Sequence, residues 1–311
     1  MKKISLIIIC LLSLTIVSAQ EKKFTTTEIE VNSLIKGTLY SPLKTTPKTK
    51  LVILIAGSGP TNRSGNQVGM INNSLKYLAE DLAQNDIAVF SYDKRIFVQM
   101  LNKTIDEKSL RFDDFINDAK DVLLYFKSEK KYSKIIFAGH SEGSLIGMVA
   151  ANGLADGYIS LAGAGRPIDQ VIVEQLAKQL PNLKEEAEKD FDLLREGKTF
   201  ENQNPSLNSI FRSSVQPYFI SWMKYIPQAE IKKLSIPVLI VNGTKDIQVP
   251  PSDAELLHAA SPKSKLIIIE NMNHIFKEIK VDEENTKSYS NPDLPVIPEL
   301  ITVVTNFIKT I

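Results

Sequence analysis

KIIFAGHSEGSLIGMVA, residues 134–150, contains a strand, a sharp turn and a helix in succession. Its first part, Ile135–Ala138, is a short apolar run with two β-branched residues, which is typical of a buried strand. From Glu142 onward the apolar residues recur at helical spacing. The turn is a G-x-S-x-G pentapeptide, whose glycines are needed because a Cβ at either position would clash within the turn. This pattern predicts that Ser141 stands above the end of the strand on a strained backbone.

Strand-like and helix-like segments alternate around this turn. Leu51–Ala56 and Ile87–Tyr92 are apolar runs that precede amphipathic segments, and Gly157–Ala162 is a further strand-like run. Such alternation predicts a mostly parallel sheet with crossover helices, an α/β fold. Two alternating segments before it, Thr25–Val31 and Leu34–Tyr40, are predicted to form an antiparallel pair.

The alternation then stops. Arg166–Lys233 contains Lys/Glu-rich helical stretches but no strand-like run, which predicts a helical insertion. The sheet is predicted to resume at Pro237–Asn242 and to end at Leu266–Ile269. The α/β core is therefore expected in two parts, at residues 20–165 and 234–311, on either side of the insertion.

The N-terminus has the pattern of a secretory signal peptide, expected at residues 1–19. Lys2 and Lys3 precede the apolar run Ile4–Val17, and a small-residue cleavage site ends at Ala19. The run is too short for a spanning helix, so no stable membrane anchor is expected after cleavage. We expect the mature chain to be exported to the periplasm or the extracellular space.

The composition restricts the classes of partner and cofactor. The 311 residues are 43% hydrophobic and 23% charged, which is ordinary for a soluble globular protein. The single cysteine, Cys10, would leave with the signal peptide, so neither disulfides nor a thiol nucleophile are expected. Without Lys2 and Lys3, 35 basic residues face 36 acidic ones, which leaves no basic surplus for nucleic acid or an anionic membrane. Three histidines and no mature cysteine argue against a zinc site, and we expect neither metal nor cofactor.

A serine hydroxyl needs an adjacent base to act as a nucleophile at neutral pH. Of the three histidines, His140 neighbours Ser141 in the turn, and its side chain is expected to point away from the serine. His258 lies on a predicted helix. His274 follows the last predicted strand, at the sheet edge where ligands bind in open α/β sheets, and is our candidate for the base.

The acid that orients the base should lie on another loop of the same edge. Asp246 follows the strand Pro237–Asn242 through a short turn and is the first candidate, and Asp169 is the reserve. The order along the chain is then Ser141, Asp246 and His274, that is nucleophile, acid and base.

An oxyanion site needs two preorganised donors. One is expected to be the backbone N–H of Glu142, at the start of the helix after Ser141. The other should come from the glycine-rich loop that follows Leu51–Ala56, where Ser58 is the candidate. A phosphate-binding reading of that loop is disfavoured, because no Gly-Lys-Ser/Thr follows and Asn62 stands where a G-x-G-x-x-G needs glycine.

These motifs together make the chain resemble the α/β-hydrolase family of serine esterases. In particular it resembles exported bacterial esterases that carry a Gly-Ser-Gly-Pro-x-x-Arg loop, Tyr-Asp-Lys-Arg and Gly-His-Ser-Glu-Gly. The matching residues are Gly57–Arg63, Tyr92–Arg95, Gly139–Gly143, Gly243–Asp246 and His274.

The resemblance implies an α/β-hydrolase fold with a helical cap formed by Arg166–Lys233. It also implies a triad of Ser141, Asp246 and His274, with oxyanion donors at the two positions given above. One departure is Ile96, since relatives usually carry glycine after Tyr-Asp-Lys-Arg.

Two smaller groups are interpreted as structural. Asp93 and Arg95 are expected to form an ion pair. Tyr218, Phe219 and Trp222 are expected to pack the cap on the core, with an acyl pocket as the alternative.

The function predicted for the chain is that of an exported serine carboxylesterase. Its substrate would be a small-molecule ester with a short acyl group, and Ser141 would carry the acyl-enzyme. An amidase or peptidase of the same fold would use the same triad. A catalytically silent binding module is a third possibility, but such a module is expected to lack a triad member.

Overall fold

The computed structural model describes residues 22–311. The predicted signal peptide and Cys10 lie outside the described residues. One sheet of eight strands forms the centre of the molecule, in the order β1-β2-β4-β3-β5-β6-β7-β8. The strands are β1 (Phe24–Asn32), β2 (Ile35–Pro42), β3 (Leu51–Ile55), β4 (Ala88–Tyr92), β5 (Ile135–His140), β6 (Gly157–Leu161), β7 (Val238–Gly243) and β8 (Lys265–Ile269).

The sheet is mostly parallel, as predicted. The pairs β1–β2 and β2–β4 are antiparallel, and all other neighbours from β4 to β8 are parallel. Every residue of β3 to β7 is buried, because helices cover both faces of these strands. In β3, Leu51, Ile53 and Ile55 pack into one hydrophobic cluster while Val52 and Leu54 pack into the other. This period of two is the geometry of a strand between two helical layers.

The helices lie between the strands and after them. They are α1 (Ser74–Gln84), α2 (Arg95–Leu101), α3 (Phe112–Glu129), α4 (Glu142–Ala151), α5 (Ile168–Gln179), α6 (Lys184–Arg195), α7 (Asn208–Phe211), α8 (Gln216–Trp222), α9 (Pro227–Ile231), α10 (Pro251–Ala260), α11 (Asn285–Ser288) and α12 (Pro298–Thr310). The short α2 was not predicted from the sequence. None of the helices in the described part of the chain is both long and apolar enough to cross a membrane.

The segment between β6 and β7 contains α5 to α9 and no strand. We call residues 166–233 the helical segment. It leaves the sheet at the carboxyl end of β6 and returns to form β7 beside it, because the two strands pair in parallel with Leu161 opposite Val241. The helical segment therefore starts at the sheet edge that holds Ser141.

Candidate active site

Ser141 lies in a strained turn between β5 and α4. Its backbone angles are φ 53° and ψ −119°, a conformation that a non-glycine residue adopts only when its surroundings enforce it. A Cβ on Gly139 would lie 2.1 Å from the carbonyl oxygen of Gly143, and one on Gly143 would lie 2.4 Å from that of Ile55. Both glycines are therefore required sterically, as the pentapeptide predicted.

His274 is held by Asp246. Nδ1 of His274 lies 2.8 Å from Oδ2 of Asp246, and both side chains are buried. The carboxylate only accepts, so Nδ1 carries the proton and Nε2 of the neutral imidazole has a free lone pair. The other oxygen of Asp246 accepts the backbone N–H groups of Gln248 and Val249, each at 2.9 Å. These bonds fix the orientation of the carboxylate.

Asp169, the reserve candidate for the acid, lies elsewhere. Its carboxylate pairs with Arg195, so that it joins α5 to α6 within the helical segment. The structure thus brings Asp246, and not Asp169, into contact with His274.

His140 supports the loop that carries His274, a contact that the sequence did not indicate. Nε2 of His140 lies 2.9 Å from the carbonyl oxygen of His274 and donates to it, and the two rings are 4.8 Å apart. Burial, with a smaller contribution from the electrostatic interaction with His274, lowers the pKa of His140 to about 3. His140 is therefore neutral at physiological pH and acts as a hydrogen-bond donor.

Buried amides connect the loops of His274 and Asp246. The side chain of Asn273 accepts the N–H of Lys277 at 2.9 Å and donates to Oδ1 of Asn285 at 3.0 Å. Asn285 in turn donates to the carbonyl oxygen of Lys245 at 2.8 Å. The residues next to His274 and Asp246 are thus joined through one bridging asparagine on α11.

The loop after β3 lies beside Ser141, because β3 and β5 are neighbouring strands. The carbonyl oxygen of Ser58 accepts from Nε2 of Gln67 at 2.7 Å and from Oγ1 of Thr61 at 2.8 Å. Ser58 therefore has a fixed position at the edge of the site, next to Glu142 at the start of α4.

The side chain of Glu142 is buried and paired. Its Oε1 lies 2.7 Å from Nζ of Lys94 and accepts from the hydroxyl of Tyr218 at 2.9 Å. Burial, together with the negative charge of Glu142, holds the pKa of Tyr218 well above its usual value, so the phenol stays protonated and donates.

The predicted ion pair between Asp93 and Arg95 is wrong. Asp93 binds Arg63 with an Nη2–Oδ2 distance of 2.7 Å, and Arg95 binds Asp118 with an Nη2–Oδ1 distance of 2.6 Å. The two residues lie two positions apart where β4 ends and α2 begins, and their side chains reach different partners. Arg63 anchors the loop after β3, whereas Arg95 anchors α2 to α3.

Two cavities adjoin the turn that holds Ser141. The first, of about 280 Å³, is lined by Ser141 and by residues of α5, and the second, of about 390 Å³, by Ile96 and the loop between α2 and α3. Ile96, the departure from the esterase motif, therefore lies in a cavity wall. Four residues line both cavities: Ser58, Glu142, Phe219 and Trp222.

The aromatic residues of α8 both pack and line the site. Trp222 stacks on Phe112 of α3 with ring centroids 5.1 Å apart, and Phe219 stacks on Trp222 at 6.1 Å. Tyr218 contacts the core through Glu142. The preferred interpretation, packing of α8 on the core, agrees with these contacts. Phe219 and Trp222 also line both cavities.

Comparison with models of known protein families identifies the family of this chain. The model of the family described as "Hydrolase_4: Serine aminopeptidase, S33" matches residues 69–279. This chain belongs to that family. The matched region contains Ser141, Asp246 and His274, and it begins eleven residues after Ser58, within the same loop.

A named relative and several solved structures are similar to this family member. Esterase EstD of Thermotoga maritima is 28% identical over 260 residues, which are 82% of this chain and 60% of EstD. The chain thus spans about 60% of the length of that relative.

Among solved structures, Est1E of Butyrivibrio proteoclasticus superposes with a TM-score of 0.58 at 18% identity, covering 92% of this chain and 98% of Est1E. The Pyrococcus furiosus esterase Pf2001 gives a TM-score of 0.54 at 13% identity, covering 92% and 91% of the two chains. These likenesses establish the α/β-hydrolase fold that the sequence predicted.

The family member carries no evident metal centre among residues 22–311. No group of three or more His, Cys, Asp or Glu side chains in that range is arranged to hold a metal ion.

Proposed function

We propose that this protein is an exported serine hydrolase that cleaves small-molecule carboxylic esters with short acyl groups. The observation that carries the proposal is the buried Asp246–His274 pair on the sheet edge where the strained Ser141 lines a cavity. A hydroxyl, an oriented imidazole and a buried carboxylate are the parts needed for nucleophilic acyl transfer.

In the proposed reaction, Oγ of Ser141 attacks the ester carbonyl while its proton passes to Nε2 of His274. The carbonyl oxygen takes up the displaced electron pair and accepts the N–H groups of Ser58 and Glu142. Collapse of this intermediate expels the alcohol, which receives the proton from His274, and leaves an acyl group on Ser141. Water then repeats the sequence, with His274 again taking and returning a proton. Asp246 keeps His274 in the required tautomer throughout.

The size of the first cavity supports a short acyl group. At about 280 Å³ it lies just below the usual range of ligand pockets, about 300–1,000 Å³. Phe219 and Trp222 separate it from the second cavity. The helical segment would then act as a cap, since its α5 and α8 contribute six of the fifteen residues that line this cavity.

An aminopeptidase is the second candidate, because the family description names one. Such an enzyme needs a carboxylate to bind the ammonium group of its substrate. The two carboxylates among the described cavity-lining residues are Glu107 and Glu142, and each is paired, with Arg212 and Lys94 respectively. Among the described residues that line the two cavities, no carboxylate is free to bind an ammonium group. This favours an ester over a peptide as substrate, as does the name of EstD.

The test is hydrolysis of p-nitrophenyl esters from acetate to palmitate by residues 20–311 and by Ser141→Ala. We expect activity on short chains that disappears in the variant. Activity that survives in Ser141→Ala would contradict the assignment, and faster hydrolysis of amino-acid anilides than of esters would favour the aminopeptidase. A folded protein that does not react with a fluorophosphonate would favour the silent binding module.

Export is part of the proposal and has a separate test. The N-terminal sequence of the protein recovered from outside the cytoplasm is expected to begin at Gln20, after the small-residue site at Ala19. A chain that stays in the cytoplasm with Met1 in place would contradict it.

A further inference from the structure

We propose that Lys94 is a positioning residue that orients both donors of the oxyanion site, the N–H groups of Ser58 and Glu142. The inference rests on the proposed ester hydrolysis, because it concerns the same site. Lys94 lies two residues after the end of β4, and its side chain is only 3% exposed. A lysine is rarely buried to this degree unless its ammonium group is fully engaged.

The ammonium group of Lys94 joins the two chain segments that carry the donors. Nζ donates to the carbonyl oxygen of Gly57 at 3.0 Å and to Oε1 of Glu142 at 2.7 Å. It also lies 4.4 Å from the centre of the Phe115 ring, which favours a cation. The loop after β3 and the start of α4 are therefore connected through one charged atom.

The bond to Gly57 fixes the direction of the N–H of Ser58. In a planar trans peptide, the C=O of one residue and the N–H of the next point to opposite sides. Because Lys94 holds the carbonyl of Gly57 on its own side, the N–H of Ser58 is directed away from Lys94. The following carbonyl, that of Ser58, is held by Gln67 and Thr61. Both peptide planes beside the donor are thus restrained.

The bond to Glu142 restrains the second donor. Glu142 is the first residue of α4, so its backbone N–H has no partner within the helix and is available to a ligand. Lys94 and Tyr218 together hold its side chain, which fixes the residue that supplies this N–H.

Lys94 also balances a charge that would oppose the reaction. The Glu142 carboxylate is buried next to the position where the ester oxygen becomes negative. Without a cation, this carboxylate would raise the energy of the oxyanion in a site of low dielectric constant. The lysine therefore contributes geometry through Gly57 and charge balance through Glu142.

The experiment compares Lys94→Met, the double variant Lys94→Met/Glu142→Gln, and the unaltered protein. The readouts are kcat and KM for p-nitrophenyl butyrate, and Ki for a trifluoromethyl ketone. Ser141 adds to this ketone to give a hemiketal whose negative oxygen occupies the oxyanion site. Its affinity therefore reports on the donors separately from substrate binding.

We expect Lys94→Met to lower kcat by about 10²-fold, the scale of losing one oxyanion donor, with little change in KM. Ki for the ketone should rise by a similar factor. The double variant should remain impaired, because the carbonyl of Gly57 still lacks its anchor. If kcat and Ki recover fully in the double variant, the positioning role is wrong. Charge balance would then be the only contribution of Lys94.

The control variant, Lys50→Met, also removes a lysine that binds backbone carbonyl groups, but it does so far from the site. Nζ of Lys50 donates to the carbonyl oxygens of Ile308 and Lys309, at the opposite end of β3 from the site. Lys50→Met is expected to keep kcat and Ki. Lys94→Met with unaltered kcat and Ki, even if less stable to heat, would refute the proposal while ester hydrolysis stands. An unaltered protein that neither turns over esters nor reacts with a fluorophosphonate would refute the esterase function and this role together.

Discussion

The imidazole of His140 donates to the backbone carbonyl of His274 at 2.9 Å, so the residue before the proposed nucleophile supports the residue proposed to activate it. This contact couples the turn after β5 to the loop after β8. It uses a neutral histidine, because burial lowers the pKa of His140 to about 3. The same histidine therefore affects two properties: it holds the loop of His274 in place, and its low pKa makes the stability of the fold depend on pH.

His140→Gln is expected to weaken the dependence of stability on pH. In the folded state the pKa of His140 lies below its unfolded value of 6.5, so as the pH falls below 6.5 the unfolded state takes up the proton first. His140 thus lowers the free energy of unfolding by up to about 2 kcal/mol between pH 6.5 and pH 5. Glutamine keeps a donor for the carbonyl of His274 but does not titrate.

Urea unfolding of both proteins at pH 7.5, 6.5 and 5 checks this expectation. The slope of stability against pH should be shallower for His140→Gln, whatever its absolute stability. Equal slopes would mean that His140 titrates normally in the folded protein.

Asp246→Asn is expected to lower kcat by about 10⁴-fold with little effect on KM. An asparagine at this position presents an amide donor or a weaker acceptor to Nδ1 of His274, so the imidazole no longer has a fixed tautomer. The matched control is Asp169→Asn, which alters an equally buried aspartate that pairs with Arg195 in the helical segment. Its kcat should stay near that of the unaltered protein. A comparable loss in both variants would show that the effect comes from general disturbance and not from the contact with His274.

Phe219→Ala is expected to shift selectivity towards longer acyl groups. Phe219 lines both cavities, and its removal would open the first into the second. The ratio of kcat/KM for p-nitrophenyl octanoate to that for the butyrate should rise by about tenfold, the scale of one or two methylene contacts. This ratio does not depend on the folded fraction.

The control for Phe219→Ala is Phe211→Ala, which removes a buried ring of α7 that packs on Phe191 at 4.7 Å and lines neither cavity. Its selectivity ratio should be unchanged. An unchanged ratio in Phe219→Ala would mean that the acyl group does not lie against this ring.

Local sequence patterns were sufficient to predict three features of the structure. These are the sheet, the turn at Ser141 and the sheet edge that holds His274. An apolar run between glycine-rich turns specifies a buried strand, and carboxyl ends of parallel strands meet at one edge. To predict that Asp246 pairs with His274, it was enough to know that each residue follows a strand of the same sheet through a short loop.

The ionic contacts could not be predicted in the same way. Asp93 and Arg95 are close in sequence, yet their partners Arg63 and Asp118 are 30 and 23 residues away. Charge alone does not specify which distant element will pack nearby. The hydrogen bond from Asn273 to Asn285 could not be predicted from the local sequence either, because both are polar residues in a loop-rich region.

The helical segment makes none of the ladder hydrogen bonds of the sheet, although it separates two strands that lie side by side. β6 and β7 pair in full register across it. Residues 166–233 can therefore diverge in length and sequence between homologues while the strands on both sides keep their positions. Under the proposed function, exchange of this segment is expected to change substrate preference while the elements that hold Ser141, Asp246 and His274 stay intact.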